Sequence, residues 1–299
     1  MSQAVTHVRG TSKVLGIIGN PVKHSISPII HNTIANYLKH DLVYVAFRLE
    51  GEKLKIGLDG AHALGIDGMS VTVPHKKAVI PFLTSLDEGA AQIGAVNAIK
   101  KTDDGYCGYN TDIMGLEKTF DNESVSIEDK SIVIFGAGGA ARAAGLLAAK
   151  KNAGRIVIAN RSEDNAKNLI DHILRYYNAN ISYAPLSNII DESGKAGYID
   201  LVIQTTSVGM HPNTDNSIVE DDVFFQNVDV AFDSVYTPWK TLFLSIAERN
   251  SSKIINGFDM LIYQAVAAYE IWNDIYIAKD DAINIKNAVK KYFLKEEDT

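Results

Sequence analysis

The sequence predicts an α/β protein of two domains, an N-terminal α/β domain and a doubly wound domain on a parallel sheet, with C-terminal helices returning to the first. Three observations predict it. Short apolar runs alternate with helix-period segments through the N-terminal third, the pattern of strands and helices in turn. A glycine turn joins a β-branched run to an Ala-rich segment at residues 131–150. The stretch Gly257 to Thr299 is helical in pattern and needs a partner surface. The domains are therefore expected at 1–112 with 257–299, and at 113–256, with a cleft between them where small molecules often bind.

Val14 to Ile18 and Leu42 to Phe47 read as strands, with Ser27 to Leu38 a helix between them. Ser25 or Ser27 is placed to cap that helix, Pro28 suits its first turn, and Ile30, Ile34 and Leu38 line one face. Ile66 to Val71 and Ala95 to Lys100 read as further strands. Ser131 to Phe135 is then a strand, Gly136 to Gly139 a turn, Ala140 to Lys150 a helix and Arg155 to Ala159 a strand, which makes one βαβ unit. Ile199 to Gln204 and Val228 to Phe232 extend the parallel sheet, which reaches to about Ile255.

Composition bounds the function. With 46% apolar residues in 299, the chain can bury a normal core. No run approaches the roughly eighteen apolar residues of a membrane helix, and Met1 to Thr11 is polar, so a cytoplasmic protein with no membrane partner is expected. The net charge of -7 argues against a nucleic-acid surface. An anionic ligand would need helix N-termini and a few placed cations. The single cysteine, Cys107, has no partner for a disulfide or a Cys-rich metal site, and no metal is expected. A monomer and a homodimer fit equally.

Gly136-Ala-Gly138-Gly139-Ala140-Ala141 follows a strand and opens a helix, fitting the G-x-G-x-x-A dinucleotide pattern of the Rossmann type. Its glycines let backbone N–H groups approach a pyrophosphate at the helix N-terminus. At the end of the next strand, where an acidic residue would bind the 2′-hydroxyl of NAD, the chain has Asn160-Arg161-Ser162. A guanidinium suits a 2′-phosphate, so NADP is favoured, with NAD as the alternative. Read as structure alone, Arg161 is a solvated loop residue before a helix capped by Ser162.

Three polar clusters end strands in the first domain. Asn20 to Pro28 sets the hydroxyls of Ser25 and Ser27 at a helix mouth, suited to a carboxylate or to plain N-capping. Thr72-Val-Pro-His75-Lys76 and Asn110-Thr111-Asp112 together offer a lysine and a carboxylate, an acid/base pair for reducing a carbonyl. The plain alternatives are a surface charge for Lys76 and a helix cap for Asp112.

The chain resembles the shikimate dehydrogenase family over nearly its whole length. The resemblance rests on HSxSP at His24 to Pro28, TVPxK at Thr72 to Lys76, GAVN at Gly94 to Asn97, NTD at Asn110 to Asp112 and GAGGAA at Gly136 to Ala141. It continues with NR[ST] at Asn160 to Ser162, TSxGM at Thr206 to Met210, DxVYxP at Asp233 to Pro238 and NGxxMLxxQ at Asn256 to Gln264. It implies that Lys76 and Asp112 are the catalytic pair and that Ser25, Ser27 and Thr72 meet a substrate carboxylate. Asn97, Asp112 and Gln264 would meet its hydroxyls, and Tyr236 would bind it near the nicotinamide. Thr206, Gly257 and Met260 would join the glycine turn, Asn160, Arg161 and Ser162 around the cofactor. The reaction so implied is NADP-dependent interconversion of 3-dehydroshikimate and shikimate, in the route to aromatic amino acids.

Some positions depart from the family pattern. Ser70 stands where Asn is common, His75 where Phe is frequent, Ala98 where GAVN is followed by Thr, and Gln204-Thr205 where Asn-Ala precedes TSxGM. A basic residue often found shortly after NR[ST] is absent, with Asn165 near its place. A quinate/shikimate dehydrogenase using NAD or both cofactors is therefore the second reading, with Ser70 relaxing selection of ring substituents. A non-catalytic NADP-binding regulatory module is the alternative from another class. His75 is expected as a partly exposed loop residue without a role.

Overall fold

The computed structural model describes residues 8–189 and 198–297, and the chain divides into two compact units, 1–115 with 262–299 and 116–261. In the first unit a six-stranded sheet runs in the order β2-β1-β3-β5-β6-β4. Its strands are β1 (Lys13–Gly19), β2 (Leu42–Arg48), β3 (Gly68–Val71), β4 (Ser85–Leu86), β5 (Ala98–Thr102) and β6 (Gly105–Tyr109). β1 pairs in parallel with β2 and β3, whereas β5 is antiparallel to both β3 and β6. The strand expected at Ala95 starts three residues later, because the backbone before it bonds elsewhere: Val96 N–H donates to Lys76 O at 2.8 Å and Asn97 N–H to Tyr109 O at 3.0 Å.

Helix α1 (Ser27–Leu38) has the predicted bounds, with Ile30 and Ile34 buried and Leu38 half-buried. Its capping differs from expectation. Ile26 is the N-cap and no side chain caps the helix, while Ser25 Oγ accepts the Ser27 N–H at 3.3 Å. Pro28 removes one of the N–H groups a cap would serve. The two C-terminal helices, Phe258–Asn273 and Lys279–Glu297, bring Gln264 and Trp272 to this sheet. Trp272 Nε1 donates to Ile99 O at 2.9 Å, and Tyr37 of α1 donates to Asp281 at 2.8 Å.

The second unit holds six parallel strands in the order β12-β11-β10-β7-β8-β9. They are β7 (Ser131–Phe135), β8 (Arg155–Asn160), β9 (Ile181–Pro185), β10 (Ile199–Gln204), β11 (Val228–Asp233) and β12 (Lys253–Asn256). The sheet is wound outward in both directions from β7, the predicted Rossmann-type arrangement. The prediction did not single out β9 as a strand; it is an edge strand in which Ala184 alone is fully buried. Among the described residues, no helix is long and apolar enough to cross a membrane.

Two tests of packing follow. A Cβ added at Gly68 would lie 2.3 Å from Trp272 Cδ1, whereas one at Gly60, inside the helix Leu54–Ala63, meets nothing within 4 Å. Gly68→Ala should therefore lower unfolding stability by about 1–3 kcal/mol through overpacking. Gly60→Ala should raise it by roughly 0.5–1 kcal/mol, read from urea midpoints.

Asp233 is buried at the end of β11, where Thr241 Oγ1 donates to Oδ2 at 2.6 Å and Val235 N–H donates to Oδ1 at 2.9 Å. Burial pushes its carboxyl up to about 7 against those two bonds. A carboxyl raised on folding stabilises fully below its unfolded value of about 4, and that contribution is lost as pH climbs through 7. The protein should thus lose urea resistance between pH 5 and pH 8, and Asp233→Asn should flatten this slope.

Candidate active site

In the first unit, a single carboxamide organises the polar residues. Helix α5 (Asp112–Asn122) begins where β6 ends. Asn110 Oδ1 accepts the Asp112 N–H at 2.9 Å while Asn110 Nδ2 donates to Ala95 O at 2.9 Å, so the Asp112 side chain is not needed as a cap. The Thr111 N–H donates to Asn97 Oδ1 at 2.9 Å. Because a backbone N–H can only donate, this bond sets the amide orientation and turns Nδ2 the other way. There it donates to Asp112 Oδ1 at 2.8 Å and lies 3.2 Å from Gln264 Oε1 and 3.1 Å from Thr111 Oγ1.

The second carboxylate oxygen, Asp112 Oδ2, faces Lys76 Nζ at 3.5 Å. Lys76 sits on the short helix α3 (His75–Ala78) with its side chain 38% exposed, open to a ligand, while that of Asp112 is only 12% exposed. Lys76, Asn97, Asp112 and Gln264 are thus brought together. Ser25 in the loop before α1, Ser27 at the first position of α1 and Thr72 just after β3 are half-buried in the same unit, and the hydroxyls of Ser27 and Thr72 make no hydrogen bond among the described residues. Thr72 N–H donates to Ile18 O at 3.0 Å, which ties its strand end to that of β1.

Two departures from the family pattern have structural accounts. His75 is fully buried, contrary to the expectation of an exposed loop residue, and its Nε2 lies 2.7 Å from Leu49 O. One turn of helix is enough to send residue 75 inward and residue 76 outward. Ser70 Oγ accepts the Tyr44 hydroxyl at 2.7 Å, and Ser70 stands directly opposite Ala98 in the β3–β5 ladder. Sequence reasoning passed over Thr111 and Tyr44. The Asn-Thr-Asp run held the signal for the first, and nothing local held one for the second.

In the second unit the glycine turn has the form its sequence requires. Gly136 has φ of 107°, in the left-handed region, and a Cβ there would lie 2.7 Å from Thr205 Oγ1, so glycine is demanded twice. Gly138 is the N-cap of α6 (Gly139–Lys150), which has no side-chain cap and no acidic residue in its first turn. A Cβ on Gly138 or Gly139 would meet nothing within 4 Å. Uncapped N–H groups, the positive end of a 12-residue helix and open space above the turn suit a pyrophosphate.

At the end of β8, Asn160 Nδ2 donates to Ser162 O at 2.8 Å, and Ser162 Oγ accepts the Asn165 N–H at 3.3 Å, capping α7 (Glu163–Leu174). Arg161 is exposed and makes no ion pair or hydrogen bond among the described residues. Glu163, the next acid along the chain, pairs with Lys167 at 2.7 Å. After β10, the buried Gln204 amide donates to Thr206 O and Val208 O at 3.2 and 3.1 Å and accepts the Thr206 N–H, shaping that loop. Tyr236 and Met260 are half-buried, and burial pushes the Tyr236 phenol up. Gly257 is pressed on Ser234, whose carbonyl oxygen would lie 2.1 Å from a Cβ. Asn160, Arg161, Ser162, the glycines and Ala140 therefore fit an anionic dinucleotide.

Comparison with known proteins agrees. The model of the shikimate dehydrogenase substrate binding domain matches residues 17–99, and that of shikimate / quinate 5-dehydrogenase matches residues 117–224. A shikimate dehydrogenase (NADP(+)) of Caldanaerobacter subterraneus subsp. tengcongensis is 39% identical over 273 residues, 91% of this chain and 96% of its own. A crystal structure of a shikimate dehydrogenase in complex with NADP+ has a TM-score of 0.87 at 38% identity, over 96% of this chain and 97% of that one. The Listeria monocytogenes shikimate 5-dehydrogenase, in complex with shikimate and NAD, has a TM-score of 0.87 at 28% identity, covering 95% and 98%. With both units matched in order and relatives aligned over nearly their full length, the chain belongs to the shikimate dehydrogenase family.

Proposed function

We propose that the chain catalyses the reversible NADP-dependent reduction of 3-dehydroshikimate to shikimate, with residues 1–112 and 257–299 binding substrate and residues 113–256 binding the cofactor. The observation that carries the reading is the Lys76 to Asp112 contact of 3.5 Å, with the other carboxylate oxygen held by Asn97. A module that only bound nucleotide would have no use for that pair.

NADPH, when bound, supplies the hydride that reaches the carbonyl carbon. The Lys76 ammonium donates the proton that the carbonyl oxygen gains, and Asp112 orients that ammonium. In the reverse direction the pair accepts the hydroxyl proton. Ser25, Ser27 and Thr72 present hydroxyl donors to the substrate carboxylate, and Asn97, Gln264 and Tyr236 contact the remaining polar groups. Gly138, Gly139 and Ala140 hold the pyrophosphate through backbone N–H groups, while Gly136, whose own N–H donates to Ala159 O at 2.9 Å, makes the turn that lets it approach. Asn160, Arg161 and Ser162 hold the adenosine end, with Thr206, Gly257 and Met260 beside the cofactor. Use of quinate or of NAD is the second reading, favoured by the small Ser70 and Ala98 pair and by the NAD complex of the Listeria relative.

Steady-state assays of shikimate and quinate, each with NAD and NADP, test substrate and cofactor together; the reading expects shikimate with NADP to have the highest kcat/KM. Lys76→Ala should lower kcat by about 10²–10⁴ while changing the KM for shikimate far less. Undiminished turnover in that variant would refute the pair. Arg161→Ala should raise the KM for NADP and leave that for NAD nearly unchanged, and an equal rise for both would remove the 2′-phosphate role.

A further inference from the structure

We infer that His75 is a positioning residue for Lys76, acting through the main chain at Leu49; the inference rests on the proposed role of Lys76. The carbonyl of Leu49 can only accept, so His75 Nε2 carries the hydrogen and donates it across 2.7 Å. The ring is fully buried, and its Nδ1 has no partner among the described residues. A buried ring nitrogen left bare is unfavourable, and an apolar side chain would avoid it. The bond to Leu49 is what histidine adds.

Leu49 is itself bonded in a way that gives this contact reach. Its N–H donates to Gly19 O at 3.1 Å, at the end of β1, while the adjacent Asn20 N–H donates to Val73 O at 3.0 Å. The His75 N–H returns to Thr72 O at 2.8 Å. These bonds close a ring that joins the ends of β1, β2 and β3 and includes the peptide next to Lys76. On the other side, Val96 N–H holds the Lys76 carbonyl at 2.8 Å. The backbone of residue 76 is therefore gripped from two directions, and the Nζ position facing Asp112 depends on the histidine bond.

Three substitutions separate the hydrogen bond from packing. His75→Phe fills the space and drops the donor, His75→Asn keeps an amide too short to reach Leu49, and His75→Gln keeps a donor near the Nε2 position. With folding checked by thermal melting, His75→Phe and His75→Asn should each lower kcat about tenfold with the KM for shikimate changed less than about threefold, the size of effect a misplaced catalytic group produces. His75→Gln should recover most of that turnover. Combined with Lys76→Ala, His75→Phe should add no further loss, as expected for residues acting as one unit.

Wild-type kcat in a folded His75→Phe or His75→Asn protein overturns the inference, as does equal impairment in His75→Gln or full additivity with Lys76→Ala. If His75→Phe fails to fold, the Asn and Gln pair decides alone. The Lys76→Ala arm reads the catalytic assignment by itself: wild-type turnover there overturns that assignment and this inference with it, whereas impaired Lys76→Ala beside undiminished His75→Asn overturns only the latter.

Discussion

The orientation of one carboxamide, that of Asn97, sets the geometry on which the first unit's chemistry depends. A free asparagine amide can turn over at little cost, because its oxygen and nitrogen are nearly the same size. Here the Thr111 N–H removes that freedom, and the NH₂ group must face Asp112 and Gln264. Three separate pieces of chain are fixed together by it: the residue before β5, the start of α5 and the helix Phe258–Asn273. β5 lies antiparallel between β3 and β6, joined to β6 by the tight turn at residues 103–104. That placement brings Asn97 within reach of Thr111 and Asp112, and Asp112 in turn faces Lys76.

Electrostatics divides between local and global scales. A chain of net charge -7 repels a dinucleotide at long range, and screening limits that repulsion to about 8–10 Å in physiological salt. Close in, the uncapped N-terminus of α6 and Arg161, which has no acidic partner among the described residues, present positive potential. In the first unit the charge of Lys76 is balanced by Asp112 at 3.5 Å.

Much of this was legible in the sequence, and what was not has identifiable causes. The bounds of α1 and the glycine turn were readable because each depends on residues adjacent in the chain. So was the meeting of Lys76 with Asp112, which lie 3.5 Å apart, because lysine and aspartate carry their charges with them. The capping of α1 was misread because two candidate serines lay within two residues, and only the backbone decides which N–H each meets. His75 was misread because a histidine between a proline and two lysines looks solvated, and its partner Leu49 is 26 positions away. Tyr44 reaches Ser70 from two strands away, across β1, at the same separation of 26. No local pattern encodes such a contact.

That Tyr44–Ser70 pair also constrains what Ser70 can do for a ligand. Burial of Tyr44 pushes its phenol up, so it stays protonated and always donates. Ser70 Oγ is then the acceptor of that bond, and its own hydrogen is left to give. An asparagine at the same place would offer a donor and an acceptor together. Any oxygen that reaches Ser70 therefore meets a donor held at a fixed point, beside the small Ala98 in the ladder. For the proposed reaction, selectivity among ring substituents would then rest on which oxygen can accept from Ser70 and on the space two short side chains leave, separately from the proton transfer assigned to Lys76 and Asp112.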